Sequence, residues 1–533
     1  MDRRSFLRAS LGAGAAGLAT SAGFYRWQEI SPGVHYPGRQ EGHFLRDRNA
    51  LPAPGKVLET DVVILGSGIG GLSAAWQLGK LGHEDYLLLD GPEAFGNAAG
   101  SRYGELACPT GAHYLPLPGT ESTHVRAMLA DLGILLRDAG GDKPYYDERF
   151  ILHGPEERLL RDGVWQEGLV PIDAIDAAQH KAFFDEMARL RHARGSDGRR
   201  AFVFPLALSS NDPAYAALDR ISFARWLGDH GYRSATLRWY LDYCCRDDYG
   251  AGLERVSAWA GIHYFAGRWG QAANAGENAL LTWPGGLSPL AEALAAKAGP
   301  RRMRGTAASV REVEGRIEAL CFTLEAGKPQ TFLVRARRAI CAMPLFVASR
   351  VVEGIGRYGF DARRHLPQYA PWMVSNFLMR DFPRELPEAQ LAWDNVVYQG
   401  RGLGYVVSTH QDIRSRPPAK TVFTAYTALS WHTPEQARRW MQSASGAELL
   451  ELAGSDLKQV YGWTLAPCVE RVDITLRAHA MAVPQPGFRG NAGLAALRAS
   501  KGPILFAHAD LSGLSVFEEA SWWGCRAAER ALS

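Results

Sequence analysis

Glycines 66, 68 and 71 are the first residues in the chain whose spacing implies chemistry. In the stretch DVVILGSGIGGLSAAWQLGKLGHEDYLLLD, Gly66 permits a tight turn and Gly68 lets backbone approach a pyrophosphate. Gly71 lets the following helix sit close on the preceding strand, and Ser67, Ile69 and Gly70 complete the phosphate loop. Asp90, roughly two dozen positions on, can accept hydrogen bonds from both ribose hydroxyls of an adenosine, with Gly91 beside it. So short a motif is weak in a chain with 57 glycines, where a glycine-rich turn without a nucleotide is the bland reading. Its surroundings decide. Val62-Val63-Ile64-Leu65 reads as a strand buried on both faces, and Leu72, Ala75, Leu78 and Leu81 recur at helical spacing. Gly82 stops the helix, and Tyr86-Leu87-Leu88-Leu89 reads as a second buried strand. The helix thus starts at the glycines with its positive end toward the phosphates.

A chain of 533 residues is expected to hold more than one domain. Its 47% hydrophobic and 22% charged residues exclude wholesale disorder. With 59 basic against 56 acidic residues and no long basic block, nothing points to nucleic acid. The seven cysteines are scattered, without a C-x-x-C pair or a Cys/His cluster, so no metal is expected. The adjacent Cys244 and Cys245 read as packed thiols rather than a disulfide.

The amino terminus, MDRRSFLRAS followed by LGAGAAGLATSAG, resembles a twin-arginine export signal over residues 1–23. Its apolar part is too short and too rich in Gly and Ala to span a bilayer. The nearest cleavage-like sequence is Thr20-Ser21-Ala22, so a retained signal and membrane association stay open. The expectation is a periplasmic protein exported folded by the twin-arginine translocase, followed by a linker or arm over 24–60.

After Asp90, GPEAFGNAAGSRYGELACPTGAHYLPLPG resembles the flavin-dependent amine oxidase superfamily. The resemblance implies an α/β fold: a discontinuous Rossmann-type FAD-binding domain with an inserted α+β substrate domain containing an antiparallel sheet. The FAD-binding parts would be 61–134, 280–346 and 493–533, and the substrate parts 135–279 and 347–492. Gly96-Asn97-Ala98 stands where the family has Gly-Gly-Arg, leaving Asn97 or Arg102 as donors to the phosphates. Gly111, Ala112, His113 and Tyr114 would pass the flavin ring. A strand meander over Ala307–Val310, Arg316–Leu324 and Thr331–Val334 would give adenine a backbone contact near 307–310, followed by a separate buried strand from Arg338. At the carboxy terminus, KGPILFAHADLSGLSVFEEASWWG resembles the final flavin motif. Ala509 and Asp510 would meet the ribityl-diphosphate, and a helix starting at Val516–Glu518, with Phe517, would aim its amides at the flavin carbonyl. No cysteine sits where monoamine oxidases attach flavin, so FAD is expected to be non-covalent.

Catalytic residues are less legible. His113 is a candidate because of its flavin-passing segment. Asn376 stands on Val374–Met379, the strand where many amine oxidases carry a lysine. Trp372, Trp393, Tyr398, Tyr405 and Trp522 are candidate walls of a dry pocket, with Tyr398 and Trp522 also weak catalytic candidates. Asp247 and Asp248 beside Arg246 read equally as a paired turn or a site. The leading expectation is hydride removal from the carbon bearing an amine nitrogen. A desaturase or isomerase of an apolar substrate is the alternative, favoured if the pocket has no acid to receive an ammonium. A flavin-fold protein that binds without turnover is a third reading.

Overall fold

The computed structural model describes residues 26–533 apart from 48–49, 172–175, 387–388 and 417. The expected export signal therefore lies outside the described residues.

The centre of the cofactor-side sheet is the strand Val57–Leu65, which begins before Asp61 and runs into Gly66. It pairs in parallel with Tyr86–Leu89 on one side and Lys328–Cys341 on the other. Val62 and Ile64 pack into one core and Val63 and Leu65 into another, as a doubly covered strand requires. The helix Ile69–Lys80 lies against the carboxy-terminal helix Phe517–Leu532. They approach so closely that a Cβ on Gly524 would sit 2.2 Å from the Gly70 carbonyl oxygen.

The expected meander and the separate strand after it differ from the structure in one respect. Thr331–Val334 and the stretch from Arg338 are a single strand, Lys328–Cys341. Its first half pairs antiparallel with Arg316–Glu325. Its second half runs parallel to Val57–Leu65 and, at Ala339–Cys341, to Ile504–Phe506. The carboxy ends of these parallel strands therefore meet at Gly66, Ala342 and Ala507, where nucleotides bind in open parallel sheets.

The second sheet has eight strands: Gly33–His35, Val469–Ala482, Tyr369–Met379, Thr421–Ala428, Tyr405–Val407, Asp394–Val397, Glu157–Arg161 and Val164–Glu167. It is antiparallel except at two joints, Gly33–His35 with Val469–Ala482 and Asp394–Val397 with Glu157–Arg161. Tyr369–Met379 is buried at every residue because helices cover both faces. One face packs on the segment containing the helices Ala177–Arg191, Ala235–Tyr249 and Ala258–Gly267. The other meets Leu449, Leu457 and Leu465 of the helices following Pro434.

The segment expected as a linker or arm is an arm docked onto both halves. Trp27 is buried against Phe377 of the substrate sheet, and Gly33–His35 covers its edge. The helix Arg39–Arg46 then places Phe44 on Phe322 of the meander. All seven cysteines are free thiols. No helix among the described residues is long and apolar enough to cross a membrane.

Candidate functional site

The first glycine turn is built as its spacing implies. Gly66 has φ +108°, a conformation side-chain-bearing residues rarely adopt, and a Cβ on Gly71 would lie 1.8 Å from the Gly66 carbonyl oxygen. Gly71→Ala is accordingly expected to lower stability by about 1–3 kcal/mol, the usual cost of overpacking, seen as a lower melting temperature. Gly68 differs. It caps Ile69–Lys80 in an extended conformation, and a Cβ there would meet no protein atom. Nothing in the fold requires glycine at this position, and its absent side chain leaves the turn open above the helix start.

Asp90 follows Tyr86–Leu89, and Arg302 Nε donates to its Oδ1 at 2.6 Å. The Asp90 and Gly91 amides bond to the carbonyls of Met303 and Gly305. The backbone beside Asp90 is thus Met303–Gly305, and Ala307 and Val310 follow it, buried in one core with Leu89. The loop after Asp90 folds back so that Phe95 bridges to Gly68. Asn97 is turned away from a phosphate role: its side-chain amide donates to the Ala480 carbonyl at 2.6 Å, and its own carbonyl accepts from Ala112. Arg102 is on the exposed hairpin strand Gly100–Tyr103, 3.9 Å from Glu292, and lines a groove with Arg414 rather than the cleft described below. The cation missed by the sequence is Arg477, which is half-buried, paired with both oxygens of Glu93 and bonded to the Thr110 carbonyl. Asp510 serves the protein through Oδ2, which accepts from Tyr369 O–H at 2.6 Å and Leu345 N–H at 2.9 Å. Its buried Oδ1 lies 3.2 Å from His508 Nδ1, so His508 and Tyr369 take one oxygen each. Ala509 is buried beside it.

Between the two sheets lies a cleft of about 140 Å³. Gly111–Tyr114 forms one wall, Val516, Phe517 and Glu518 another, and Trp372, Val374 and Tyr426 the floor. The carboxy-terminal helix starts at Phe517 with Val516 as its cap, so its first amides open at the cleft. His113 stacks on Tyr426 at 4.4 Å and tilts against Trp393 at 5.4 Å, and burial pushes it down to about 3. It is a neutral imidazole at the cleft wall.

The other catalytic candidates are elsewhere. Asn376 shares a strand face with Trp372 and Val374 but is bound to the Pro109 carbonyl and Thr424 hydroxyl. Tyr398 packs on Trp239 under Arg161, and Trp522 packs on His124 under Arg526. Tyr405 lies in the opposite core, bonded to Tyr461. Of the candidate walls, Trp372 faces the cleft and Trp393 backs His113.

The polar end of the cleft comes from the helix Ala235–Tyr249, whose last turn brings in Asp247 and Asp248. Arg246 is not their partner, since it pairs with Asp242. Asp248 binds Arg268 at 2.6 Å, and Asp247 accepts from Tyr114 O–H at 3.3 Å. Burial and the neighbouring Asp248 raise Asp247 to about 7 against the opposing pull of Arg268 and Tyr114. Behind it stand Glu157, raised to about 7 by burial, Glu156 and Asp247, and Asp394, raised by burial, Glu157 and Asp247. Sequence reasoning missed Glu157, Asp394 and Arg268. The one signal available was a pair of adjacent aspartates in an otherwise aromatic, cysteine-containing helix.

Comparison with known proteins places these features. A family described as an NAD(P)-binding Rossmann-like domain matches residues 64–132, the first nucleotide unit. A putrescine oxidase structure bound to putrescine superposes with a TM-score of 0.62 at 17% identity, covering 89% of this chain and 99% of that one. Cyclohexylamine oxidase from Brevibacterium oxydans gives 0.59 at 17% identity, covering 89% and 98%. The chain has the fold of these oxidases. The same fold is found in a fatty acid isomerase from P. acnes, with a TM-score of 0.56 at 15% identity, covering 88% and 98%. No curated protein sequence matches.

Proposed function

We propose that this protein is an FAD-dependent oxidoreductase that oxidises an amine. The observation carrying the substrate class is Asp247, a carboxylate at the cleft beside Gly111–Tyr114, with no free cation to neutralise it. Both arginines at the cleft are spoken for, Arg268 by Asp248 and Arg477 by Glu93. A fatty acid or other carboxylate would find no unpaired cation there, whereas an ammonium finds an unanswered acid. The isomerase reading is therefore the weaker one.

The residues present fit a flavin dinucleotide. Gly68 leaves open space over the helix start, Asp90 follows the second parallel strand where a ribose acid is needed, and Asp510 Oδ1 is a buried acceptor beside His508. Gly66–Gly71 would hold the diphosphate, Asp510 a ribityl hydroxyl, and Gly111–Tyr114 with the first turn from Phe517 the ring. FAD, which we take to be held non-covalently, would supply the two-electron acceptor for hydride leaving the carbon next to nitrogen. The chain's own part is to place that carbon. Trp372, Val374 and Phe517 exclude water, and Asp247 orients the ammonium. Asp247, raised to about 7, is also the base placed to accept the proton an ammonium must lose before its neighbouring C–H bond breaks as hydride, while His113 stays a neutral wall. The resulting imine hydrolyses in water.

The direct test is anaerobic mixing of the purified flavoprotein with an amine panel, following flavin bleaching. Amines should bleach it and fatty acids should not. A flavin that no amine reduces overturns the reading. Asp90→Ala is expected to weaken FAD binding about ten- to a hundredfold, since charged hydrogen bonds contribute roughly 1.5–3 kcal/mol. Turnover per bound flavin should be nearly unchanged, measured by flavin titration of the apoprotein and by rates in excess FAD.

We also propose periplasmic export by the twin-arginine translocase on the strength of Arg3-Arg4-Ser5-Phe6-Leu7. Replacing Arg3 and Arg4 together by lysine should leave folded, flavin-loaded protein in the cytoplasmic fraction.

A further inference from the structure

Among the described residues lining the cleft, the permanent cations are Arg268 and Arg477, set against the carboxyl groups of Asp247, Asp248 and Glu518. A ring that accepts hydride takes up negative charge, which such a wall opposes unless donors stand close. The first amides of the helix from Phe517 answer part of it. Arg268 is committed to Asp248 at 2.6 Å. That leaves Arg477.

Arg477 lies on Val469–Ala482 directly opposite Trp372 of Tyr369–Met379, so its stem shares the face that floors the cleft. From there the guanidinium reaches across to the cofactor half of the molecule. Its Nε donates to the Thr110 carbonyl at 3.0 Å, immediately ahead of the wall Gly111–Tyr114. Nη1 and Nη2 each donate to one oxygen of Glu93 at 2.8 Å. Glu93 belongs to the loop whose Phe95 bridges to Gly68 at the glycine turn. Arg477 is therefore tied to both segments between which a dinucleotide would run.

The hydrogen bonds do not exhaust it. A guanidinium carries five N–H groups, of which three go to Thr110 and Glu93. The other two bond nothing among the described residues, although the side chain is only 8% exposed. Donors left over in so closed a place are costly unless an acceptor comes to them. Glu93 answers the charge of Arg477 but not these donors.

We propose that Arg477 is the electrostatic partner of the flavin: its two unspent N–H groups donate to the cofactor and stabilise the negative charge the ring gains on reduction, while Glu93 holds that stabilisation down. This rests on the flavin reading and is independent of the amine.

The test uses the FAD-loaded full chain with Glu93→Gln and Arg477→Gln. Sulfite affinity is read from flavin absorbance, and the two-electron potential from equilibration with a reference dye. Sulfite gives its electron pair to the oxidised ring and leaves that ring negative, so it reports the same charge with no amine present. Glu93→Gln keeps an acceptor for Arg477 but removes the counter-charge, so sulfite should bind about ten- to a hundredfold tighter. The potential should rise by about 30–60 mV, at about 30 mV per decade for two electrons. Arg477→Gln should move both quantities the other way by a similar factor. A clasp that merely ties the two halves together would make both variants lose flavin faster and melt lower. Sulfite affinity would then shift in one direction for both or stay put, and that result overturns the proposal. Should Arg477→Gln emerge without flavin, Glu93→Gln decides alone, and unchanged or weaker sulfite binding there overturns it. A parent that binds no flavin would instead overturn the flavin reading. Opposite shifts in a protein that no amine bleaches would support Arg477 and overturn amine oxidation.

Discussion

Gly68→Val is expected to give a folded protein that emerges from purification without FAD. A Cβ at Gly68 meets no protein atom within 4 Å, and the residue sits in an extended conformation that any amino acid adopts. The fold should therefore accept valine at little cost. A nucleotide should not, because a branched side chain at the helix cap stands where the diphosphate must approach the first amides. Loss of those contacts should weaken FAD binding about a thousandfold, roughly 4 kcal/mol at 1.4 kcal/mol per decade. Gly71→Ala is the control, since there the added methyl strikes the Gly66 carbonyl and fold and cofactor fail together. Circular dichroism with flavin absorbance separates the two. A Gly68→Val protein that stays yellow at full occupancy would falsify the diphosphate site.

Asp247→Asn should weaken amine binding roughly thirtyfold to a few thousandfold, the range for removing one partner of a desolvated charge pair. The parent should also show a pH signature. Burial holds Asp247 and Glu157 protonated up to about 7, and only their ionised forms attract a cation. Amine affinity should therefore rise as pH passes from about 6 to 8 and then level off, with a shallower rise in Asp247→Asn. The melting temperature of the ligand-free protein is a poor reporter of this. Acids raised in the folded state, Asp247 and Glu157 among them, lose stability as pH climbs from about 4 to 7. Histidines depressed to about 3 or 4, such as His113 and His124, lose it as pH falls below about 6.5. The amine-induced rise in melting temperature isolates the carboxylates and should be larger at pH 8 than at pH 6. Equal affinity at both would remove Asp247 from the binding site.

What was legible in the sequence was what is local. The turn at Gly66–Gly71, the helix after it and the start of the last helix near Phe517 are each written in consecutive residues, and each stands where expected. Lys328–Cys341 was divided in two because Arg335, Arg337 and Arg338 interrupt its apolar run. Arg335 and Arg337 leave the sheet sideways to Glu318 and Asp61, a use of charge that no periodicity reveals. Asp510 looked wholly like a cofactor acid, but half of it belongs to Tyr369, which the chain brings from a distant strand. Asp247 and Asp248 beside Arg246 read equally as a solvated or paired turn and as a site. Only the packing of that helix over the sheet shows that the arginine faces Asp242 while the aspartates face the cleft. Asn376 failed for the same reason in reverse, since its face was right but Pro109 and Thr424 had already claimed its amide.

The docked arm has a bearing on how far the amino terminus can be trimmed. Gly33–His35 hides the outer rim of Val469–Ala482, and Trp27 fills a place in the core beneath. A processing enzyme that stopped short of Trp27 would leave the body intact. One that cut past His35 would uncover a row of unpaired backbone donors and acceptors, a template on which a second copy could add a strand. The arm is thus a shield against self-association, and Trp27 is already part of what the body needs in place.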